Sequence, residues 1–181
     1  MMHTVTHPGP AHQDRLEMVE ASGRPVTLTL AAGIPLETAV ANALADIGCN
    51  NSAYLEIADA AVADLAYVMP AHSSDATHVA WYSDIHRFDG PGAINHLGMI
   101  VGYREDRCFI HGHGTWTPQS GPAAMGHILS PLTTLAQPVV ATGFAFSGAR
   151  FEEYDDPETN FTLFSPAPCG TRNEADAEFA L

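Results

Sequence analysis

The feature that most constrains the fold is a pair of long runs joined by a short polar turn, in the stretch GAINHLGMIVGYREDRCFIHGHGTW at residues 92–116. Core-type and solvent-type positions alternate along both runs, which is the period of a strand with one face against a core. The polar RED turn between the runs is short enough to close them into a β-hairpin. We therefore expect a fold built on an antiparallel sheet.

The rest of the chain supplies one helix and further strands. RPVTLTLAAG at 24–33 alternates like a half-buried strand, and IPLETAVANALADIGC at 34–49 predicts a helix with a proline near its start and a glycine at its end. Residues 52–70 predict two short strands, or a strand and a turn, ending at Pro70, although their alanines are also compatible with a helix. Further strands are predicted at 77–85, 125–129, 138–154 and 160–166.

A single domain follows from this organisation. No repeat or linker divides the chain, and 181 residues suit one domain with tails. We expect an α+β domain with a mostly antiparallel sheet and one main helix near the N-terminus. Residues 1–22 are predicted to form an N-terminal arm, residues 23–166 the domain, and residues 167–181 an acidic C-terminal tail.

The charge of the chain excludes several function classes. The formal net charge is −14, from 21 acidic and 7 basic residues, and all seven basic residues are arginine. Without lysine there is no Schiff-base chemistry on the protein and no phosphate-loop motif. Affinity for a phosphate backbone comes mainly from clustered basic side chains. We therefore expect no binding to nucleic acid.

Compartment is predicted from the apolar runs and the cysteines. No run of about 18 apolar residues is present, so no membrane span is expected. The N-terminal stretch has no apolar segment of the kind that signal peptides carry. The three cysteines are an odd number and widely spaced. Together these features predict a cytoplasmic protein with reduced thiols.

Three histidines lie close together in IHGHGTWTPQSGPAAMGHI at residues 110–128. His111 and His113 fall on one face of a strand, where both rings could reach one ion, and His127 could return as a third ligand. Cys108 points to the other face, which argues against a Cys–His nucleophile. Three neutral imidazoles with an open fourth position are typical of catalytic zinc. The alternative is that these are ordinary strand and loop histidines.

The register of the hairpin decides whether a fourth histidine joins this cluster. A two-residue turn at Glu105 and Asp106 would place Gly98 opposite His113, giving that ring room, and would bring His96 near the site. A three-residue turn would shift the register by one residue. His96 is therefore a further candidate ligand only for the first register.

The histidine motif resembles the metal-binding signature of the plant-and-prokaryote-conserved (PPC) domain family. In that signature a hairpin ends in H-x-H and is followed, after a short turn, by a glycine–histidine pair, as in HLGMIVGYREDRCFIHGHGTW and MGHIL. The similarity extends over about residues 24–165. It implies an antiparallel-rich α+β fold, assembly as a homotrimer, and zinc or another divalent transition metal on His111, His113 and His127.

Two functions stay open on these grounds. One is a metal-dependent hydrolase, lyase or isomerase that uses the open metal position on a small molecule, with a small anion as the candidate ligand. The other is a non-enzymatic binding or regulatory module, including a DNA-associated one as the family's labelling suggests. Plant members carry a basic AT-hook beside the domain, whereas GRPV at residues 23–26 has no flanking basic residues. The residues therefore do not support DNA binding.

Three other sets of side chains could serve a site. An acidic segment could supply a general base, although an acidic surface turn is the simpler interpretation: Asp155, Asp156, Glu158 and Asn160. Three arginines could receive an anion, although surface ion pairs are the simpler interpretation: Arg87, Arg104 and Arg150. Three aromatic residues could line a pocket, although core packing is the simpler interpretation: Trp81, Phe109 and Trp116.

Overall fold

The computed structural model describes residues 6–13, 16–50, 52–75, 77–88 and 90–169. Within these ranges the chain forms strands joined by short turns, one α-helix, α1 (Leu36–Asp46), and one 3-10 helix (Ser130–Leu132). The strands are β1 (Ser22–Leu30), β2 (Ala53–Asp64), β3 (Ala66–Val68), β4 (Pro70–His72), β5 (Ala80–Tyr82), β6 (His86–Arg87), β7 (Gly92–Arg104), β8 (Arg107–Pro118), β9 (Ala124–Ile128), β10 (Thr134–Leu135), β11 (Val139–Ser147), β12 (Ala149–Asp155) and β13 (Thr162–Pro168).

Most of the strands belong to one sheet of 11 strands, with the order β1-β11-β2-β7-β8-β9-β3-β6 along its main path. β10 pairs with β2, and β12 joins β7 and carries β13 on its other side. Pairing is antiparallel except for the parallel bridge between Glu152 of β12 and Tyr103 of β7. β4 and β5 form a separate two-stranded sheet. The predicted sheet-dominated, mostly antiparallel fold is confirmed.

The β7–β8 hairpin has the register of a two-residue turn. Glu105 and Asp106 both have positive φ, 47° and 61°, as the two central residues of a type I′ turn require. Gly98 pairs with His113 as a result. The turn thus confirms the register on which the position of His96 depends.

Helix α1 covers the core face of the sheet. It begins after Pro35, and the chain leaves it at Gly48, whose φ is 67°, a conformation that favours glycine beyond a helix end. The helix buries Leu36, Val40 and Leu44 and contacts β1 and β8. The position of the helix agrees with the sequence prediction.

The hydrophobic core lies between α1 and the sheet. Alternate residues of β7, Leu97 and Met99, are fully buried, as is Ile110 of β8. The other face of this hairpin carries the histidines, because neighbouring side chains on a strand point to opposite faces. The core and the candidate site are therefore separated by the thickness of one sheet.

Two segments differ from the prediction. Residues 52–70 form two strands as predicted, β2 and β3, but β2 is long and not short, and no helix occurs there. Pro70 does not end this segment but begins β4, which pairs with β5 alone; a proline is tolerated at the first position of an edge strand, where no ladder donor is needed. The strand predicted at 77–85 shortens to β5.

The first and last strands mark the ends of the described fold. β1 begins at Ser22, and β13 ends at Pro168. Within the arm, the backbone N–H of Gly9 donates to the carbonyl of Glu158 at 2.9 Å, and that of His12 donates to the Glu158 carboxylate at 2.8 Å. The predicted acidic tail lies, from residue 170 onward, outside the described residues. Among the described residues, no helix has the length and apolar character needed to cross a membrane.

Candidate metal centre

Three histidines converge on the outer face of the sheet. His111 and His113 project from β8, and His127 stands on β9 directly opposite His113. Each ring offers a nitrogen within 4.8 Å of the others, and the ring centroids are between 4.9 and 5.1 Å apart. This is the only group of three or more metal-ligating side chains found among the described residues. The three imidazoles can therefore reach one cation together.

The surroundings keep these imidazoles neutral. Burial lowers the pKa of all three rings, and that of His127 falls to about 4, because His111, His113 and Arg104 add to the effect of burial. Neutral imidazole is the form that binds a metal. The Nδ1 atom of His127 is buried without a hydrogen-bond partner, and such an atom normally has one. The donor set and this unpaired nitrogen both fit a bound cation.

His96 lies outside the convergent group. It stands on the same face as the triad, as the register predicts, but its Nε2 atom lies 4.0 Å from the carboxylate of Glu56. The space beside Gly98 that was expected for the His113 ring lies against the side chain of Tyr54. A side chain at Gly98 would first meet the hydroxyl of Tyr54, at 3.2 Å. Tyr54, Glu56 and His96 thus form a polar patch next to the triad.

Cys108 is separated from the histidines, as the alternation of the strand predicts. Its thiol is free and packs against the core side of the sheet. Burial raises the pKa of this thiol to about 12, so the reactive thiolate does not form near neutral pH. A Cys–His nucleophile is therefore excluded for this cysteine.

A cleft of about 610 Å³ opens beside His111 and His127. Its lining is mostly apolar, and it includes aromatic and aliphatic side chains from β5, β8, β13 and the turn before β13: Trp81, Tyr82, Phe109, Phe161, Leu163 and Phe164. Of the three aromatic candidates from the sequence, Trp81 and Phe109 line the cleft, whereas Trp116 is fully buried in the core. The other walls were missed, because they come from segments far from the histidines in sequence.

The β12–β13 hairpin can cover one side of this cleft because β7 has a glycine at residue 102. A Cβ atom on Gly102 would collide with the carbonyl oxygen of Phe151 and with the ring of Phe164. Phe164 packs against Phe109 and His111, with ring centroids 5.6 and 6.4 Å apart. Because Gly102 has no side chain, the β12–β13 hairpin can approach β7 closely enough to place the Phe164 ring against His111.

Arg104 is the cationic side chain that lines the cleft. It forms an ion pair with Glu153, yet its side chain is 51% exposed while that of Glu153 is 15% exposed. Arg150 pairs with Glu152 at 3.3 Å, and Arg87 lies exposed on β6. The predicted ion-pair role is therefore confirmed for two of the three arginines, and the guanidinium carbon of Arg104 also lies 3.7 Å from the centroid of the Phe109 ring.

The acidic segment before β13 forms a turn and does not line the cleft. Asp156 accepts a hydrogen bond from the hydroxyl of Thr159, which lowers the pKa of that carboxyl. Asp155 accepts one from the hydroxyl of Thr162 at 3.1 Å. Asp156 and Glu158 are buried, so the prediction of a solvated turn is wrong for these two. The Asp156 carboxylate holds the turn together, that of Glu158 accepts from the backbone N–H of His12 in the arm, and neither lines the cleft beside the triad.

Solved structures share this fold at low sequence identity. A metal-containing protein from Archaeoglobus fulgidus superposes with a TM-score of 0.60 at 18% identity, covering 82% of this chain and 99% of its own. A PPC protein from Pyrococcus horikoshii gives 0.58 at 14%, covering 83% and 97%. A candidate DNA-binding protein from Ralstonia eutropha JMP134 gives 0.58 at 15%, covering 77% and 89%.

Sequence comparisons add nothing to these structural matches. No protein-family model matches the chain, and no curated protein sequence matches it significantly. At the identities above, structural similarity establishes the fold alone. The predicted resemblance is confirmed at that level: the chain has a PPC-like fold.

Proposed function

We propose that this PPC-like chain binds one divalent transition metal ion, with zinc favoured, through His111, His113 and His127. We further propose that the remaining coordination position takes a small anionic molecule from the adjoining cleft. The observation that carries the proposal is that three neutral imidazoles converge where two of them, His111 and His127, line a mostly apolar cleft. Three nitrogen ligands with an open position are typical of catalytic zinc sites.

Each part of the site has a role in this proposal. Burial keeps the imidazoles unprotonated, so that no proton competes with the metal near neutral pH. The aromatic walls keep water away from a bound molecule, which strengthens electrostatic attraction inside the cleft. Arg104, in its ion pair with Glu153, lies at the lining of the same cleft. A bound ion supplies Lewis-acid chemistry, which suits a hydrolase, lyase or isomerase step on a small molecule.

The test is cobalt substitution with visible spectroscopy. Co²⁺-loaded protein should show a spectrum that changes on addition of azide or acetate, since an open position admits them. His127→Ala should lose both the metal and the response. His96→Ala is the matched control, because His96 lies on the same face but outside the triad, and it should keep both. An unresponsive spectrum, with a fourth protein ligand on the ion, would make the site structural and overturn the proposal.

A homotrimer is part of the same proposal. The PPC-like fold motivates it, and two apolar side chains on β11 are left exposed on the sheet: Val140 and Phe144. A surface of this kind is suited to burial between copies of the chain. Light scattering of the untagged protein at micromolar concentration should give three times the chain mass, and a monomer mass would contradict it.

The rival function is a regulatory module without catalysis. The similarity to a candidate DNA-binding protein favours it. The net charge of −14 opposes it, because the overall field repels a polyanion. The cobalt experiment and a DNA-binding assay separate the two functions.

A further inference from the structure

We propose that the cleft selects an aromatic carboxylate, that is, a ligand with a planar apolar body and one anionic head, and that Trp81 and Phe161 determine this preference. The orientation of the head rests on the proposed function, since it requires a cation on the histidine triad. The preference for a planar body rests separately on the walls of the cleft. The two parts can therefore fail independently.

The walls hold two aromatic rings in a nearly parallel arrangement. The centroids of Trp81 and Phe161 are 5.6 Å apart with an interplanar angle of 20°. His78 packs against both rings, at 4.6 and 5.3 Å. Trp81 is nevertheless 47% exposed. A large ring that is both fixed in orientation and open to the cleft offers a surface on which a planar ligand can stack.

Hydrogen bonds lock the two wall segments together although they are about eighty residues apart. The Nδ1 atom of His78 lies 3.0 Å from the carboxylate of Asp75, and its Nε2 atom lies 3.2 Å from the carbonyl of Asn160. The side-chain amide of Asn160 donates to the carbonyl of Thr77 at 3.0 Å. The ring pair is therefore pre-organised, and a ligand that binds there loses little free energy to ordering the wall.

The cleft has little to offer a strongly polar ligand. Its three aliphatic hydroxyls already donate hydrogen bonds within the protein: Ser83 to Asp84, Ser130 to Glu37 and Thr162 to Asp155. A sugar or a polar peptide would leave its own groups unpaired against apolar walls, which costs free energy. The body of the ligand should therefore be apolar.

The head of the ligand should be a single negative charge. The three imidazoles are neutral, so an ion on them keeps its positive charge, whereas Arg104 is balanced by Glu153. Two ligands of the triad, His111 and His127, line the same cleft as Arg104. The volume of the cleft, about 610 Å³, falls within the range of small-molecule sites and accommodates a ligand of one or two rings.

The chain contains a built-in probe for this proposal. It has two tryptophans: Trp81 lines the cleft, and Trp116 is fully buried in the core. Ligand binding should quench the fluorescence of Trp81 and leave that of Trp116 unchanged. Titration of the Co²⁺-loaded protein with benzoate, phenylacetate and acetate gives the affinity from fluorescence and from the visible spectrum in one experiment.

We expect benzoate or phenylacetate to bind about tenfold or more tightly than acetate, because a phenyl ring leaves water for an apolar wall. Benzamide, which has the ring without the charge, should leave the cobalt spectrum unchanged. Trp81→Ala and Phe161→Ala should reduce the ratio of benzoate to acetate affinity towards one, with acetate affinity and metal content unchanged. Met18→Ala is the control, since Met18 is an apolar side chain that is 79% exposed and does not line the cleft; it should keep the ratio.

Each other outcome has a definite meaning. Equal affinities for acetate and benzoate would overturn the aromatic preference and leave the open metal position standing. Cyclohexanecarboxylate binding as tightly as benzoate would overturn the assignment of a planar body. No spectral response to any carboxylate from fully loaded protein would contradict the proposed function instead. If Trp81→Ala does not fold, Trp81→Leu replaces it, because it keeps apolar area and removes the planar ring; an unchanged ratio in that variant would overturn the role of Trp81.

Discussion

The two faces of the β7–β8 hairpin come from the same stretch of sequence but have different roles. The inner face places Leu97, Met99 and Ile110 in the core, where they are fully buried. The outer face places His111 and His113 in the candidate metal centre. Stability and function are therefore assigned to alternate residues of one strand pair. Substitutions of adjacent residues should therefore have different effects: those on the inner face should lower the stability of the fold, and those at His111 and His113 should remove the metal.

The largest difference in the free energy of unfolding is expected between substitutions of Leu97 and of its neighbour His96. Leu97→Ala should lower the free energy of unfolding by about 2 to 5 kcal/mol, because it leaves a cavity in a packed core. His96→Ala, on the exposed face, should change it by about 0.5 kcal/mol or less. Urea denaturation measures both. Similar losses for the two variants would show that the faces are not separated as described.

A second contrast compares two glycines on the outer face of β7. Gly102→Ala should lower the free energy of unfolding by about 1 to 3 kcal/mol, because the new methyl group collides with backbone of β12. Gly98→Ala should cost less, because its nearest neighbour is the end of the Tyr54 side chain, which can move. Gly102→Ala should also weaken carboxylate binding, since β13 shifts with β12. Equal costs in denaturation would contradict the proposed close approach.

The pH dependence of the metal-free protein tests the electrostatics of the outer face. The pKa of His127 is about 4 in the folded protein and about 6.5 in an unfolded chain. Between these values the unfolded state binds more protons, so this contribution to stability is complete above pH 6.5 and falls as the pH drops towards 4. His127→Ala should lack this component while keeping the background from the carboxylates and from His111 and His113, whose pKa values are also lowered. The difference between the two unfolding curves should therefore vary with pH, and a constant difference would refute the shift.

The smallest expected signal is the binding of duplex DNA. At about 150 mM salt, gel shifts with duplex DNA should show no sub-micromolar binding, because seven arginines stand among 21 acidic residues. Lowering the salt concentration serves as the control for weak electrostatic contacts. Sub-micromolar binding at this salt would favour the regulatory function over the metal-dependent one.

The sequence predicts much of the hairpin and little of the cleft, for a physical reason. The period-two alternation and the short polar turn determine which side chains share a face, so the separation of Cys108 from His111 and His113 could be predicted locally. The cleft depends on β5 and β13, which approach β8 only in the folded chain. No local pattern indicates that Trp81 will stack with Phe161. The burial of Asp156 was missed for the same reason, because its surroundings are set by long-range packing.

The prediction for residues 52–70 left several interpretations open and made β2 too short, because composition obscured the pairing. Alanine is compatible with both helix and strand, and the pairing of β2 with β7 and β11 decides in favour of one long strand. Pro70 is a reliable signal against a central strand but not against the start of an edge strand. Tertiary pairing, which the sequence does not display locally, settled both points.

Metal content is the most direct test of the central claim. Protein purified without a histidine tag should contain one divalent transition metal ion per chain by elemental analysis, most favourably zinc. The His111→Ala/His113→Ala variant should contain almost none, while its far-UV circular dichroism should match the wild type because both side chains lie on the outer face. Equal metal content in the two proteins would contradict the assignment of the triad as the metal centre.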